Sequence, residues 1–245
     1  MPVLIRFTLA LVLVSSNAVA ASAESVTVAV AANFTAVAED LAKNFAAESG
    51  HEVKLSFGAT GQLYAQISQG APFKVFLAAD VERPQKAMAE GLAVKGSFFV
   101  YAQGRLTLYG PGRDMHDGKA QLAGDFGRLA IADPETAPYG AAAVETLKAL
   151  GLYEKVQRSI VEGENISQTL QFVDTGNAEL GFVAASQVLG KADQWLVPPD
   201  LHAPIAQGAV LLEAGRSNPA ARAFLAYLRS EEAMKTIEAA GYAVP

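Results

Sequence analysis

The sequence predicts a two-lobed α/β protein, each lobe a mostly parallel sheet flanked by helices, with a hinge of crossing strands between them. Three observations carry this. Strand-like runs alternate with helical periods across short turns, which puts helices on both faces of a parallel sheet. One of these runs, Val75-Phe76-Leu77-Ala78-Ala79, is continuously apolar, as a strand covered on both faces must be. Residues 24–245 are many for one parallel core, yet no Pro/Ser/Gly-rich linker divides them. The chain is therefore expected to cross between lobes inside extended strands near 100–104 and 206–212. That places lobe I at 24–102 plus 210–245 and lobe II at 103–209.

In order along the chain, residues 1–23 read as a secretory signal peptide. Arg6 precedes an apolar run from Phe7 to Val14, and small residues lead to Ala21-Ser22-Ala23, an A-x-A cleavage box; Ala18-Val19-Ala20 is the alternative box. The apolar run falls short of the roughly 20 residues of a membrane anchor. Val26, Val28 and Val30 then alternate as a strand. Phe34, Val37, Ala38, Leu41 and Phe45 form a helical stripe that Gly50 ends. Val53, Leu55 and Phe57 make a second strand, and Gly58-Ala59-Thr60-Gly61 turns into a short helix carrying Leu63, Tyr64 and Ile67. Pro84 suits the first turn of a helix over 84–90. Phe98–Ala102 and Arg105–Tyr109 read as strands parted by Gln103-Gly104, and Leu129–Ala132 as another, followed by Asp133-Pro134 and a helix over about 140–150. Residues 166–176 are predicted helical and Leu180–Ala184 a buried strand. Two helices close the chain, one with Ala221, Phe224, Leu225 and Leu228 on a single face, the other over 231–240.

Composition excludes several functions. With 19 basic and 25 acidic residues the net charge is −6 and no basic block exists, so nucleic acid is not the expected partner. No cysteine is present, which removes disulfides, thiolate metal sites and thiol nucleophiles and suits an oxidising compartment such as the periplasm. His51, His116 and His202 are far apart in polar contexts, and no H-E-x-x-H, G-x-S-x-G or phosphate-loop motif occurs. An exported hydrolase using Asp133 or Glu135 with a histidine is the enzyme alternative, although Asp before Pro is a common turn starter.

Four strand-to-helix junctions carry small or polar residues at the helix start: Ala31-Ala32-Asn33, Gly58-Ala59-Thr60-Gly61, Pro138-Tyr139-Gly140 and Glu164-Asn165-Ile166-Ser167. A helix start leaves N–H groups unpaired and carries about half a positive charge. In open α/β sheets these ends share one rim, where ligands bind. Two such rims facing each other make an anion site without any cation. Capping alone is the plainer explanation for Asn33 or Thr60 taken singly.

Several blocks in order, V-A-A-N-F-T at 30–35, G-A-T-G-Q-L-Y-A-Q-I at 58–67, G-A-P-F at 70–73, A-D-P-E-T-A-P-Y-G at 132–140 and E-L-G-F-V at 179–183, resemble the periplasmic molybdate-binding proteins that serve ABC transporters. The resemblance implies the two-lobed periplasmic-binding-protein-like fold (type II), closing on ligand by a hinge. It implies binding of molybdate and also tungstate, with another tetrahedral oxyanion such as sulfate as the alternative, delivery to a membrane permease, no catalysis, no cofactor and a periplasmic location. A monomer is expected because the hinge must move and no exposed apolar helix stripe is evident. Carried across residue by residue, Asn33 would supply a main-chain N–H and a side-chain donor, Thr60 a hydroxyl and N–H, and Tyr139 and Ile166 main-chain N–H groups. Molybdenum would be cargo inside an oxyanion, with no protein-to-metal bond. Two positions depart from the family pattern. Ala184 stands where many members place a tyrosine hydroxyl on the ligand, a gap the Tyr139 hydroxyl is expected to fill, and Ala32 stands where a subgroup has threonine.

Overall fold

The computed structural model describes residues 23–245; the signal-peptide expectation for 1–23 lies almost wholly outside them. The first sheet opens with β1 (Ser25–Ala31), β2 (Glu52–Gly58) and β3 (Val75–Leu77), connected by α1 (Thr35–Ser49) and α2 (Thr60–Ser68). After α3 (Glu82–Ala89) comes β4 (Phe99–Gly104), and a single residue, Arg105, separates it from β5 (Leu106–Tyr109), the first strand of the second sheet. That sheet continues through α4 (Gly118–Ala123), β6 (Leu129–Ala132), α5 (Pro138–Ala149), α6 (Tyr153–Val156), β7 (Ile160–Gly163), α7 (Ile166–Asp174), β8 (Leu180–Ala184) and β9 (Gln194–Leu196). The chain then returns to the first sheet as β10 (Ile205–Leu211) and ends in α8 (Pro219–Tyr227) and α9 (Glu231–Ala239).

The strand orders are β2-β1-β3-β10-β4 and β7-β6-β8-β5-β9. In the first sheet β2, β1 and β3 are mutually parallel and β10 is antiparallel to both β3 and β4, so only β10 is reversed. In the second, β5 is the reversed strand, antiparallel to β8 and β9. Each lobe is thus a mostly parallel sheet whose one reversed strand adjoins a crossing between lobes. On sheet membership, residues 103–104 and 205–209 lie in the first sheet, whereas the division at 102/103 and 209/210 puts them in lobe II; the second crossing runs through 197–204, ahead of β10. The short edge strands β7 and β9 carried no alternating pattern long enough to read, and β4 extends through Gln103-Gly104 instead of stopping before it.

Alternation along β1 decides which face each side chain covers. Val26, Val28 and Val30 pack with Phe34, Leu41 and Phe45 of the α1 region and with Phe224, Leu228 and Ile237 of α8 and α9. Ala29 faces the other layer, with Leu63 and Ile67 of α2 and Ala87 of α3. In the second lobe Leu106, Leu108, Ile131 and Phe182 meet Leu147 of α5, while Tyr109 and Val183 meet Val173 of α7. Burial of these aliphatic and aromatic side chains, at about 1.5–3 kcal/mol each, holds both layers on both sheets. It also fixes the helix starts at the C-terminal ends of β1, β2, β6 and β7.

Candidate functional site

Those helix starts meet at one narrow cavity of about 10 Å³ between the lobes, lined by Ala31, Ala32, Asn33, Gly58, Ala59, Thr60 and Ala79 from the first lobe and Ala137, Pro138, Tyr139, Asn165 and Ile166 from the second. Asn33, Thr60, Tyr139 and Ile166 are therefore brought together from positions up to 133 residues apart in sequence. No lining residue carries a charge. Five of the lining residues are alanines, so no large side chain other than Tyr139 and Ile166 borders the cavity.

Each junction presents an N–H group in its own way. A single 3₁₀ turn, Ala32–Phe34, joins β1 to α1 and contains Asn33. Thr60 is the first residue of α2; its Oγ1 accepts the Ala79 N–H at 3.0 Å, so its own hydrogen remains free to donate. Tyr139 follows Pro138 at the start of α5. Gly140 lets that helix sit directly on the end of β6, since a Cβ there would stand 2.0 Å from the Ala132 carbonyl oxygen. Asn165 caps α7: its Oδ1 accepts the N–H groups of Ser167 at 3.0 Å and Gln168 at 3.1 Å, which leaves the Ile166 N–H uncapped. Among the described residues, the N–H groups of Asn33, Thr60, Tyr139 and Ile166 find no acceptor outside their own helices, and a first-turn N–H has none within.

Capping does not explain Asn33 or Thr60. Neither occupies an N-cap position, and no side-chain cap bond is made at either junction. The Asn33 side chain is not a free donor either. Its Nδ2 donates to Gln207 Oε1 at 2.9 Å and to the Tyr242 hydroxyl at 3.1 Å, while that hydroxyl donates to the Asn33 carbonyl at 2.7 Å. The side-chain donor expected of Asn33 is thus committed to a buried cluster behind the cavity, because Gln207 and Tyr242 pack there from β10 and the C-terminus.

The Tyr139 hydroxyl reaches the same cluster. It lies against Gly104, where a Cβ would stand 2.0 Å from it, and it has no hydrogen-bond partner. The hydroxyl is thus packed next to Gly104 on the crossing strand, without a protein hydrogen bond, and Tyr139→Phe tests whether it fills the gap left by Ala184. Burial, reinforced by the neighbouring Tyr242 and Tyr101 hydroxyls, pushes Tyr139 well above the ordinary tyrosine pKa, and burial raises Tyr101 and Tyr242 as well. All three are neutral phenols at any ordinary pH. Tyr101 donates to Gln207 Oε1 at 3.0 Å, and Ser186 Oγ joins from the second lobe through the Tyr242 hydroxyl at 2.8 Å. Gln207, Tyr242, Tyr101 and Ser186 were not singled out in the sequence; each lies in a segment with no motif.

The lobes are in contact around the cavity. Gly61 N–H donates to the Thr136 carbonyl at 2.8 Å and Ser167 Oγ to the Ala32 carbonyl at 3.1 Å. Asp133, the carboxylate of the hydrolase alternative, is a turn organiser: Oδ1 accepts the Glu135 N–H at 2.9 Å and Oδ2 accepts the Thr136 hydroxyl at 2.7 Å. No histidine bonds it. His51 meets the Glu24 N–H, His116 meets Asp114 and His202 meets the Ala203 carbonyl. Among the described residues no helix is long and apolar enough to cross a membrane, and no cluster of three potential metal-ligating side chains occurs.

Comparison with known proteins agrees with this architecture. The chain is 50% identical over 237 residues to the molybdate-binding protein ModA of Rhodobacter capsulatus, covering 95% of this chain and 94% of that one. It is 51% identical over 232 residues to ModA of Azotobacter vinelandii, at 92% coverage of each. The solved structure of a periplasmic molybdate-binding protein from Azotobacter vinelandii superposes with a TM-score of 0.86 and 38% identity, covering 90% of this chain and 99% of that one. The profile of the bacterial extracellular solute-binding proteins matches residues 26–243, and the chain belongs to that family.

Proposed function

We propose that the protein binds molybdate in the interlobe cavity and delivers it to the membrane permease of an ABC transporter. The observation that supports this reading is the uncharged lining: Asn33, Thr60, Tyr139 and Ile166, two from each lobe and all at helix starts, line one cavity without a carboxylate or a cation, and their N–H groups and the Thr60 hydroxyl hydrogen have no other acceptor. A tetrahedral dianion that is fully deprotonated offers acceptors alone, which matches the free N–H groups and hydroxyl of these four residues. A hydrogen bond to a charged partner contributes about 1.5–3 kcal/mol. Five of them, less the costs of ordering and desolvation, reach submicromolar affinity. Each helix start adds about half a positive charge, which holds the dianion through dispersed dipoles and leaves release possible. Two relatives about half identical to this chain over nearly their whole length are named for molybdate, which supports the same ligand here.

In this reading Asn33, Thr60, Tyr139 and Ile166 are the ligand residues, Asn33 and Tyr139 acting through main-chain N–H. Molybdenum makes no bond to the protein, and the site performs no chemistry. The protein works as a monomer in the periplasm after removal of residues 1–23, and tungstate, of similar size, is a second ligand. The test is thermal unfolding of the mature chain, stripped of oxyanion, with molybdate, tungstate, sulfate or phosphate. A ligand at a hundred times its dissociation constant adds about 2.7 kcal/mol. Upward shifts with molybdate and tungstate but not sulfate support the reading. A shift with sulfate instead transfers the function to that anion, and a flat response to all four removes it.

A further inference from the structure

The A-D-P-E-T block has a role the ligand contacts do not use. Asp133 folds the 133–136 turn so that two carbonyls, those of Glu135 and Thr136, face the first lobe. Arg83 meets one of them: its Nη2 donates to the Glu135 carbonyl at 2.8 Å. The guanidinium is held on its own lobe by Asp80, whose Oδ2 pairs with Nη1 at 2.5 Å and whose Oδ1 accepts the Arg83 N–H at 3.0 Å. Nη2 also lies beside Gly61, whose N–H bonds the neighbouring Thr136 carbonyl at 2.8 Å. Gly61 follows Thr60, and Asp80 follows Ala79, the residue whose N–H the Thr60 hydroxyl accepts. The interlobe contact and the ligand wall are thus one continuous piece of structure.

We propose that Arg83, oriented by Asp80, is a closure clasp: in the liganded protein its guanidinium ties the first lobe to the 133–136 turn of the second and slows escape of the oxyanion. Arg83 does not line the cavity; it is a positioning residue that acts on the closed state. The inference deepens the oxyanion-binding reading and rests on it. Two physical roles for this arginine can be separated. As a source of positive potential it would speed association, and neutralising Asp80 would strengthen that effect. As a clasp it affects dissociation, and removing either partner would speed release.

Molybdate association and dissociation rates should be measured by stopped flow for the wild-type chain, Arg83→Met, Arg83→Lys and Asp80→Asn, with thermal midpoints without ligand to verify folding. The clasp predicts dissociation about tenfold faster in Arg83→Met, as expected for loss of a hydrogen bond from a charged donor. It predicts faster release in Asp80→Asn too, an intermediate rate in Arg83→Lys, and association within about threefold of wild type throughout. Unchanged dissociation in Arg83→Met with tight wild-type binding overturns the clasp and leaves the binding function intact. Slower association in Arg83→Met together with faster association in Asp80→Asn also overturns it, in favour of electrostatic attraction. A wild-type chain indifferent to every oxyanion overturns the binding reading itself.

Discussion

Thr60 serves the site and the fold through one oxygen. Its Oγ1 accepts the buried Ala79 N–H while its hydrogen stays available to the cavity. Thr60→Ala should weaken molybdate binding roughly tenfold and lower stability by about 1–3 kcal/mol, because the Ala79 N–H is left buried and unpaired. Thr60→Ser should restore both, as read by calorimetric titration and urea unfolding. Tyr139 behaves differently. Its hydroxyl is buried, unpartnered and directed at Gly104, so Tyr139→Phe should leave molybdate affinity unchanged and stability equal or higher. Gly104→Ala should destabilise by about 1–3 kcal/mol through overpacking, and the pair Gly104→Ala with Tyr139→Phe should recover most of that loss. A double-mutant cycle of unfolding free energies measures the coupling.

Among the elements, α7 joins stability to ligand geometry most directly. Asn165 caps the helix through Ser167 and Gln168 and lines the cavity, and the next residue presents the Ile166 N–H. Asn165→Ala should cost about 1 kcal/mol, the usual worth of an N-cap, and weaken binding by loosening the first turn. Asn165→Asp separates the two roles, because a carboxylate caps as well as the amide but brings a negative charge to the wall of an anion site. Thermal unfolding should show stability retained, and titration should show molybdate binding lost. The four helix starts were legible in the sequence because a strand run giving way to a helical period marks the junction, and open α/β sheets gather such junctions on one rim. Strands β7 and β9 were not, being three or four residues long at sheet edges.

Across the whole molecule, the cluster of Asn33, Tyr101, Gln207 and Tyr242 ties the first helix region, β4, β10 and the C-terminus together, and Ser186 extends it into the second lobe. Since none of the proposed ligand groups titrates, molybdate affinity should be flat from about pH 6 to 9. The three buried tyrosines set a limit at high pH. Each has a folded pKa raised above the unfolded value of 10.0, so their contribution is complete below that pH. As pH rises past it the unfolded chain releases these protons first, and stability falls. Urea midpoints measured from about pH 8 to 11 should therefore hold steady and then decline. The sequence by itself determined the alternation of strands and helices, the two-layer covering of each sheet and the residues at the four junctions, because hydrophobic period and helix-start chemistry are local. Only the tertiary structure decided that the Asn33 amide turns inward to partners 174 and 209 residues away, that the Tyr139 hydroxyl meets Gly104, and that Asp133 shapes a turn for Arg83. Those outcomes depend on which buried donor finds which acceptor across the packed lobes, a pairing set by three-dimensional proximity that leaves no periodic trace in the chain.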